Sequence, residues 1–172
     1  DEIGRSHPPE VGIVGDPRQV LEDLMPLVDA DPTRRDEVAA ANADARDAER
    51  QAFERRADEP SPAITGAMLS RAIAAVTGPD DLVVDEGITS TRDLRVALGP
   101  RRPGTCLWHR GSALGWGLPA AVGAAIADPA RRVICAHGDG SLIFGVPALW
   151  TAAAERARLA MVVADNAGYE IL

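Results

Sequence analysis

The stretch RRVICAHGDGSLIFG, Arg131 to Gly145, decides how the rest of the chain is read. Val133 to Ala136 is apolar at every position, the pattern of a strand covered on both faces. It runs straight into an aspartate held between two glycines, Gly138-Asp139-Gly140, and then Ser141. Glycines there permit tight, positive-φ backbone, so that amides can approach an anion closely. A carboxylate in the same turn would repel a phosphate unless a cation lay between them. Mg²⁺ takes octahedral oxygen ligands and is commonly held by one or two carboxylates together with substrate phosphates. Asp139 is therefore a candidate metal ligand, with Gly138, Gly140 and Ser141 candidate phosphate contacts. A plain Asp-Gly turn is the competing account.

Outward from this stretch, the chain from Ser61 onward alternates helical and strand-like units. AMLSRAIAAV is a predicted helix, DLVVD a strand, TSTRDLRVAL a helix and TCLWH a strand. LPAAVGAAIA follows as a helix, RRVICA as a strand, PALWTAAAERA as a helix and LAMVVA as a strand. This alternation predicts an α/β fold, a parallel sheet with helices on both faces. Ligands of such sheets sit beyond the carboxyl ends of the strands. DEGITS, HRGSALGWG, GDGS and DNAGY all fall at that edge. Between Gly140 and Asp165 lie 24 residues, enough for a helix and a returning parallel strand that brings DNAGY beside GDGS. Asn166 can then offer an amide oxygen and Gly168 its carbonyl.

Upstream, VGIVGDPRQVLEDLMPLV (residues 11–28) is predicted as strand, turn and helix. Asp16 suits the cap, Pro17 the first helical position, and Val20, Leu21, Leu24 and Leu27 form one stripe. Such a unit cannot bury its own face, so residues 1–30 are expected to be the tail of a preceding domain. Residues 31–60 carry mixed charge and few large apolar side chains, as a solvated linker helix would. Residues 61–172 form the main domain, and the fold is expected to be incomplete at both ends.

With 26 acidic residues and 18 basic ones, all arginine, the 172-residue chain carries a formal charge of -8. That balance argues against general affinity for nucleic acid or anionic membrane, and no apolar run approaches the roughly 20 residues needed to span a bilayer. Cys106 and Cys135 lie in strand-like runs and are expected to be free, buried thiols of a cytoplasmic protein. The three histidines offer no nucleophile–base pair. His7 stands at the frayed start, His109 ends a strand, and His137 abuts GDGS either beside the site or in turn packing.

GDGS, the 24-residue interval and an Asn-containing loop together resemble the metal–diphosphate motif of thiamine diphosphate-dependent enzymes. By that resemblance Asp139, Asn166 and the Gly168 carbonyl would hold Mg²⁺ against the diphosphate of thiamine diphosphate, with Tyr169 completing the loop. The family usually has two adjacent asparagines, whereas Asp165 precedes Asn166 here. That extra carboxylate either caps the loop or alters metal choice. GSALGWGLPAAVGAA (Gly111 to Ala125) resembles the segment that runs under the cofactor. The Ser112 carbonyl would accept from the pyrimidine amino group, Ala113 would sit alongside, and Leu114 would be the apolar wedge that bends the cofactor. DEGITS resembles the first diphosphate-side loop, with backbone amides from Gly87 and Ile88 and the Thr89 hydroxyl, although Thr89 also suits a plain N-cap.

The wording of the helix after GDGS is closest to benzoylformate decarboxylase and its relatives. The resemblance therefore implies the cofactor-anchoring part of a 2-oxoacid decarboxylase, acting on a small-molecule 2-oxoacid. The alternatives are an acetolactate synthase-type carboligase and a non-catalytic interaction subunit that keeps the fold. The family's catalytic glutamate lies in a pyrimidine-binding domain, expected in another segment or chain of a homodimer or tetramer. No catalytic residue is assigned to this chain, and no turnover is expected from it alone. A nicotinamide-dinucleotide domain fits poorly, because GSALGWG lacks the GxGxxG spacing.

Overall fold

The computed structural model describes residues 8–29, 31–108 and 113–168. Its centre is a parallel sheet in the order β2-β1-β3-β4. The strands are β1 (Leu82–Glu86), β2 (Cys106–Trp108), β3 (Val133–Gly138) and β4 (Leu159–Ala164). Register is continuous across the middle: Val84 lies opposite Cys135 and Cys135 opposite Met161. Leu82 to Glu86 are all buried, and so are Val133 to His137. Apolar runs without alternation are what a strand covered on both faces requires.

Period-2 geometry sends neighbouring side chains to opposite layers. Leu82, Val84, Val133 and Cys135 pack against Ala121 and Ala125 of helix α5 (Gly117–Ala127). Val83, Ile134 and Ala136 pack on the other face with Ile73 of α3 (Gly66–Val76) and Leu94 of α4 (Leu94–Leu98). The expected α/β sheet with helices on both faces is therefore present. Helix α3 starts at a Thr65 cap whose hydroxyl accepts from the Met68 N–H at 3.2 Å. At the opposite, amino-terminal edge, the Arg101 guanidinium donates to the carbonyls of Gly78 and Asp81. Arg132 pairs there with Asp81, whose carboxyl is held below its usual range chiefly by that hydrogen bond.

Several elements differ from the sequence expectation. Residues 11–14 form no strand, although α1 (Pro17–Leu24) does start as expected, with the Asp16 carboxylate accepting from the N–H groups of Arg18 and Gln19. The helix expected over 89–98 shrinks to α4, because Thr91 is drawn to Asp85 and residues 89–93 make turns. GDGS is no flexible turn. β3 passes directly into a short helix, α6 (Asp139–Gly145), with Gly138 extended at φ -86° as its cap. Neither Gly138 nor Gly140 has positive φ; among the described residues near this edge, Gly115 (φ 88°), Ile88 (φ 47°) and Ala167 (φ 56°) do. Helix α7 (Ala148–Ala154) then returns the chain to β4.

The helix α2 (Pro32–Asp58) exists, but it is not solvated along its whole length. Phe53 and Ala57 are buried against Ala67, with Val96 and Ala97 beside them. The chain divides into two compact units, residues 1–45 and 46–172, with the division inside α2. In the first unit no described residue is buried. Among the described residues no helix is long and apolar enough to cross a membrane.

Candidate cofactor-binding cleft

A small, solvent-open cleft lies where the carboxyl ends of β1, β3 and β4 meet. Residues 86–90 line one side, 138–141 the floor, Asn166 and Gly168 the far wall, and Leu114 the lip. Ten of the residues singled out from sequence thus come to one place, on three strand ends and the loop before α5. Ala113 is exposed, one residue before Leu114. Ser112 and Tyr169 lie outside the described residues, as do His7 and His109.

Local chemistry shapes each wall. Asp139 opens α6, a favourable place for a carboxylate in the first helical turn. In the DNAGY loop, Asp165 Oδ1 accepts from the Ala167 N–H at 2.9 Å, and Asn166 Oδ1 accepts from the Gly168 N–H at 3.2 Å. Asp165 therefore acts as a cap of its own loop. Among the described residues no three His, Cys, Asp or Glu side chains gather. A cation in the cleft would rely on one carboxylate and neutral oxygens, and that hard, oxygen-only donor set suits Mg²⁺.

The first loop is built from within. Asp85 Oδ1 accepts from the Gly87 N–H at 3.0 Å and from the Thr91 hydroxyl at 2.5 Å. The Gly87 amide expected for an anion is thus turned back toward β1, while Ile88 and Thr89 remain at the cleft. A Cβ on residue 87 would overlap the Thr91 side chain, with 2.8 Å to its Cβ, so glycine is required there for close approach. Thr89 is exposed at the rim and caps no helix; α4 begins five residues later. The Ser141 hydroxyl is buried and donates to the Glu86 carbonyl at 3.1 Å. Of Ser141, then, the backbone is the part left for a ligand.

Two residues without an assigned role in the sequence sit under this cleft. The Glu86 side chain is 1% exposed and His137 is fully buried. Glu86 accepts from the N–H groups of Gly115, at 2.5 Å, and Gly117. His137 Nε2 lies 3.0 Å from Glu86 Oε2. That is ion-pair distance, but no directed hydrogen bond is made at Nε2. The only sequence signal for this pair is two polar residues at the ends of otherwise apolar strands.

A parallel α/β sheet with a cleft at its carboxyl edge, lined by a Gly-Asp-Gly-Ser helix start, defines a class of ligand-binding domain. Residues 89–172 match the family model "Thiamine pyrophosphate enzyme, C-terminal TPP binding domain". Benzoylformate decarboxylase of Pseudomonas aeruginosa is 37% identical over 100 residues, 58% of this chain and 19% of that protein. The acetolactate synthase isozyme 1 large subunit of Escherichia coli is 30% identical over 170 residues, 96% of this chain and 28% of that protein. Among solved structures, a thiamine diphosphate-dependent 4-hydroxybenzoylformate decarboxylase from Rhodococcus jostii aligns with TM-score 0.61 at 30% identity. The match covers 65% of this chain and 22% of that one. Residues 89–172 belong to the thiamine pyrophosphate-binding domain of the thiamine diphosphate-dependent enzymes, a family that includes decarboxylases, and the chain spans less than a third of each relative.

Proposed function

We propose that this chain supplies the diphosphate- and Mg²⁺-holding portion of a 2-oxoacid decarboxylase of the benzoylformate decarboxylase kind. The observation that carries this reading is the convergence of Asp139, Asn166 and Gly168 with residues 87–89 and Leu114 on one cleft. Asp139, the Asn166 amide oxygen and the Gly168 carbonyl would hold the cation. The backbone of residues 138–141 and of Ile88 and Thr89 would meet the diphosphate. Leu114, 43% exposed, offers an apolar surface to the rings, with Ser112 and Ala113 just before it in sequence, and Tyr169 follows Gly168 in the DNAGY loop. The thiazolium ring supplies an electron sink for loss of CO₂ from a 2-oxoacid. The chain's own share is to anchor and orient, and to neutralise charge. Proton transfer would come from a pyrimidine-binding domain in another segment or chain, within a homodimer or tetramer.

An acetolactate synthase-type carboligase is the second reading, favoured by the similarity to the Escherichia coli enzyme along nearly the whole chain. Calorimetric titration with thiamine diphosphate tests the anchoring role. Binding should require Mg²⁺ and disappear in Asp139→Ala. Binding unaffected by EDTA would remove the metal assignment. Supplying the pyrimidine-binding domain and following CO₂ release from benzoylformate and from pyruvate separates the two readings from each other and from a non-catalytic subunit.

A further inference from the structure

We propose that Glu86 and His137 form a buried clamp that holds the Leu114 loop over the cleft, acting as positioning residues for the ring-bearing part of the ligand. Glu86 and His137 are register partners on β1 and β3, at the strand ends that floor the site. Both side chains point to the α5 face, as Val84 and Cys135 do before them. From there the Glu86 carboxylate accepts from Gly115 and Gly117, the residues just beyond Leu114. Gly117 is the first residue of α5, and its cap position is Trp116, which has no side-chain acceptor for the helix. A carboxylate borrowed from the sheet therefore caps α5, where negative charge is favourable.

The rest of the network closes on itself. His137 Nδ1 lies 3.0 Å from Ser141 Oγ, and that hydroxyl donates to the Glu86 carbonyl. One ring of contacts thus joins the β1 end, the start of α6 and the Leu114 loop. Burying a carboxylate and an imidazole costs free energy that apolar residues of similar size would not, so such pairs earn their place through geometry more than stability. Glycine at 117 follows from the same packing. A Cβ there would stand 2.7 Å from Glu86 Oε2, 2.8 Å from Glu86 Cβ and 3.2 Å from His137 Nε2. Gly115, at φ 88°, has its own reason, since a Cβ would meet Phe144 Cβ at 2.5 Å.

Because the clamp grips the loop carrying the apolar lip, its loss should harm the ring side of the cleft and spare the diphosphate side. This rests on the cofactor reading proposed above. The test compares Mg²⁺-dependent binding of thiamine diphosphate and of inorganic pyrophosphate, which lacks the rings, to the full chain. In Glu86→Gln, one glycine amide loses its acceptor. Thiamine diphosphate should weaken about tenfold or more while pyrophosphate stays within about twofold, a gap worth about 1 kcal/mol or more. Equal weakening of both ligands, or of neither, overturns the proposal. Should Glu86→Gln fail to fold, protection of the Gly115 and Gly117 amides in the wild-type chain decides the proposal.

Amide hydrogen exchange decides the clamp without any ligand. In the wild-type chain the Gly115 and Gly117 amides should both be protected, and in Glu86→Gln at least one of them should exchange at least about a hundredfold faster, as an amide that loses its buried acceptor does. Unprotected wild-type amides at both positions would overturn it. If the wild-type chain binds neither ligand, the cofactor reading falls and exchange alone rules on the clamp.

Discussion

Asp85 and Glu86 stand side by side on one strand, and each organises a different loop. Strand geometry turns Asp85 toward the α4 side, where it gathers Gly87 and Thr91, and Glu86 toward α5, where it gathers Gly115 and Gly117. Their charge is felt one strand away. Burial, with those two carboxylates behind it, pushes the Cys135 thiol up to about 12. The folded chain therefore holds that proton more tightly than the unfolded one does. Stability that is intact below the ordinary thiol range of about 8.5 should be lost as pH rises toward 12, at up to about 1.4 kcal/mol per unit. Urea unfolding at pH 8.5 and 10.5 checks this, and Cys135→Ala should show the smaller decline. The same thiol should resist alkylating reagents until the chain unfolds.

At the scale of elements, the decisive surprise is where α2 stops being a surface helix. Phe53 and Ala57, four residues apart and so on one face, sink onto Ala67 beside Val96 and Ala97. Two ion pairs flank this contact, Arg56 with Asp93 at 2.6 Å and Arg71 with Asp58 at 2.5 Å. They are partly exposed, so apolar burial is expected to dominate the docking. Phe53→Ala should lower the urea midpoint by an amount equivalent to about 3 kcal/mol, with an unchanged slope. Arg56→Ala should cost far less. A single phenylalanine in a run of Ala, Arg, Asp and Glu gives almost no periodicity, which is why the sequence alone suggests a solvated linker. The helix α6 carries an equally weak sequence signal. Glycines bracket its start, and glycine carries low helix propensity; tertiary packing of Ser141 and Gly145 holds it.

On the scale of the whole molecule, cohesion is concentrated after residue 45. Across the first unit no described side chain is buried, whereas the second holds both faces of the sheet. Limited proteolysis should therefore cut first within residues 8–45 and leave a resistant product that begins near Arg46. Mass spectrometry of the early fragments reads this directly, and early cleavage between Leu82 and Ala136 would contradict it. Apolar surface also remains along α6, α7 and the β4 edge, with Phe144 60% and Trp150 78% exposed.

By itself the sequence determined the alternation of strands and helices, the parallel sheet and the edge at which a ligand would meet it. Those follow from unbroken apolar runs and from helix-length spacers, both of which are local and periodic. Only the tertiary structure decided that Gly87 faces inward, that Ser141 serves the protein, and that Glu86 and His137 meet beneath the cleft. Such pairings depend on register between strands 51 positions apart in the chain. No local pattern carries that register, because it is set by how two layers of side chains pack at once.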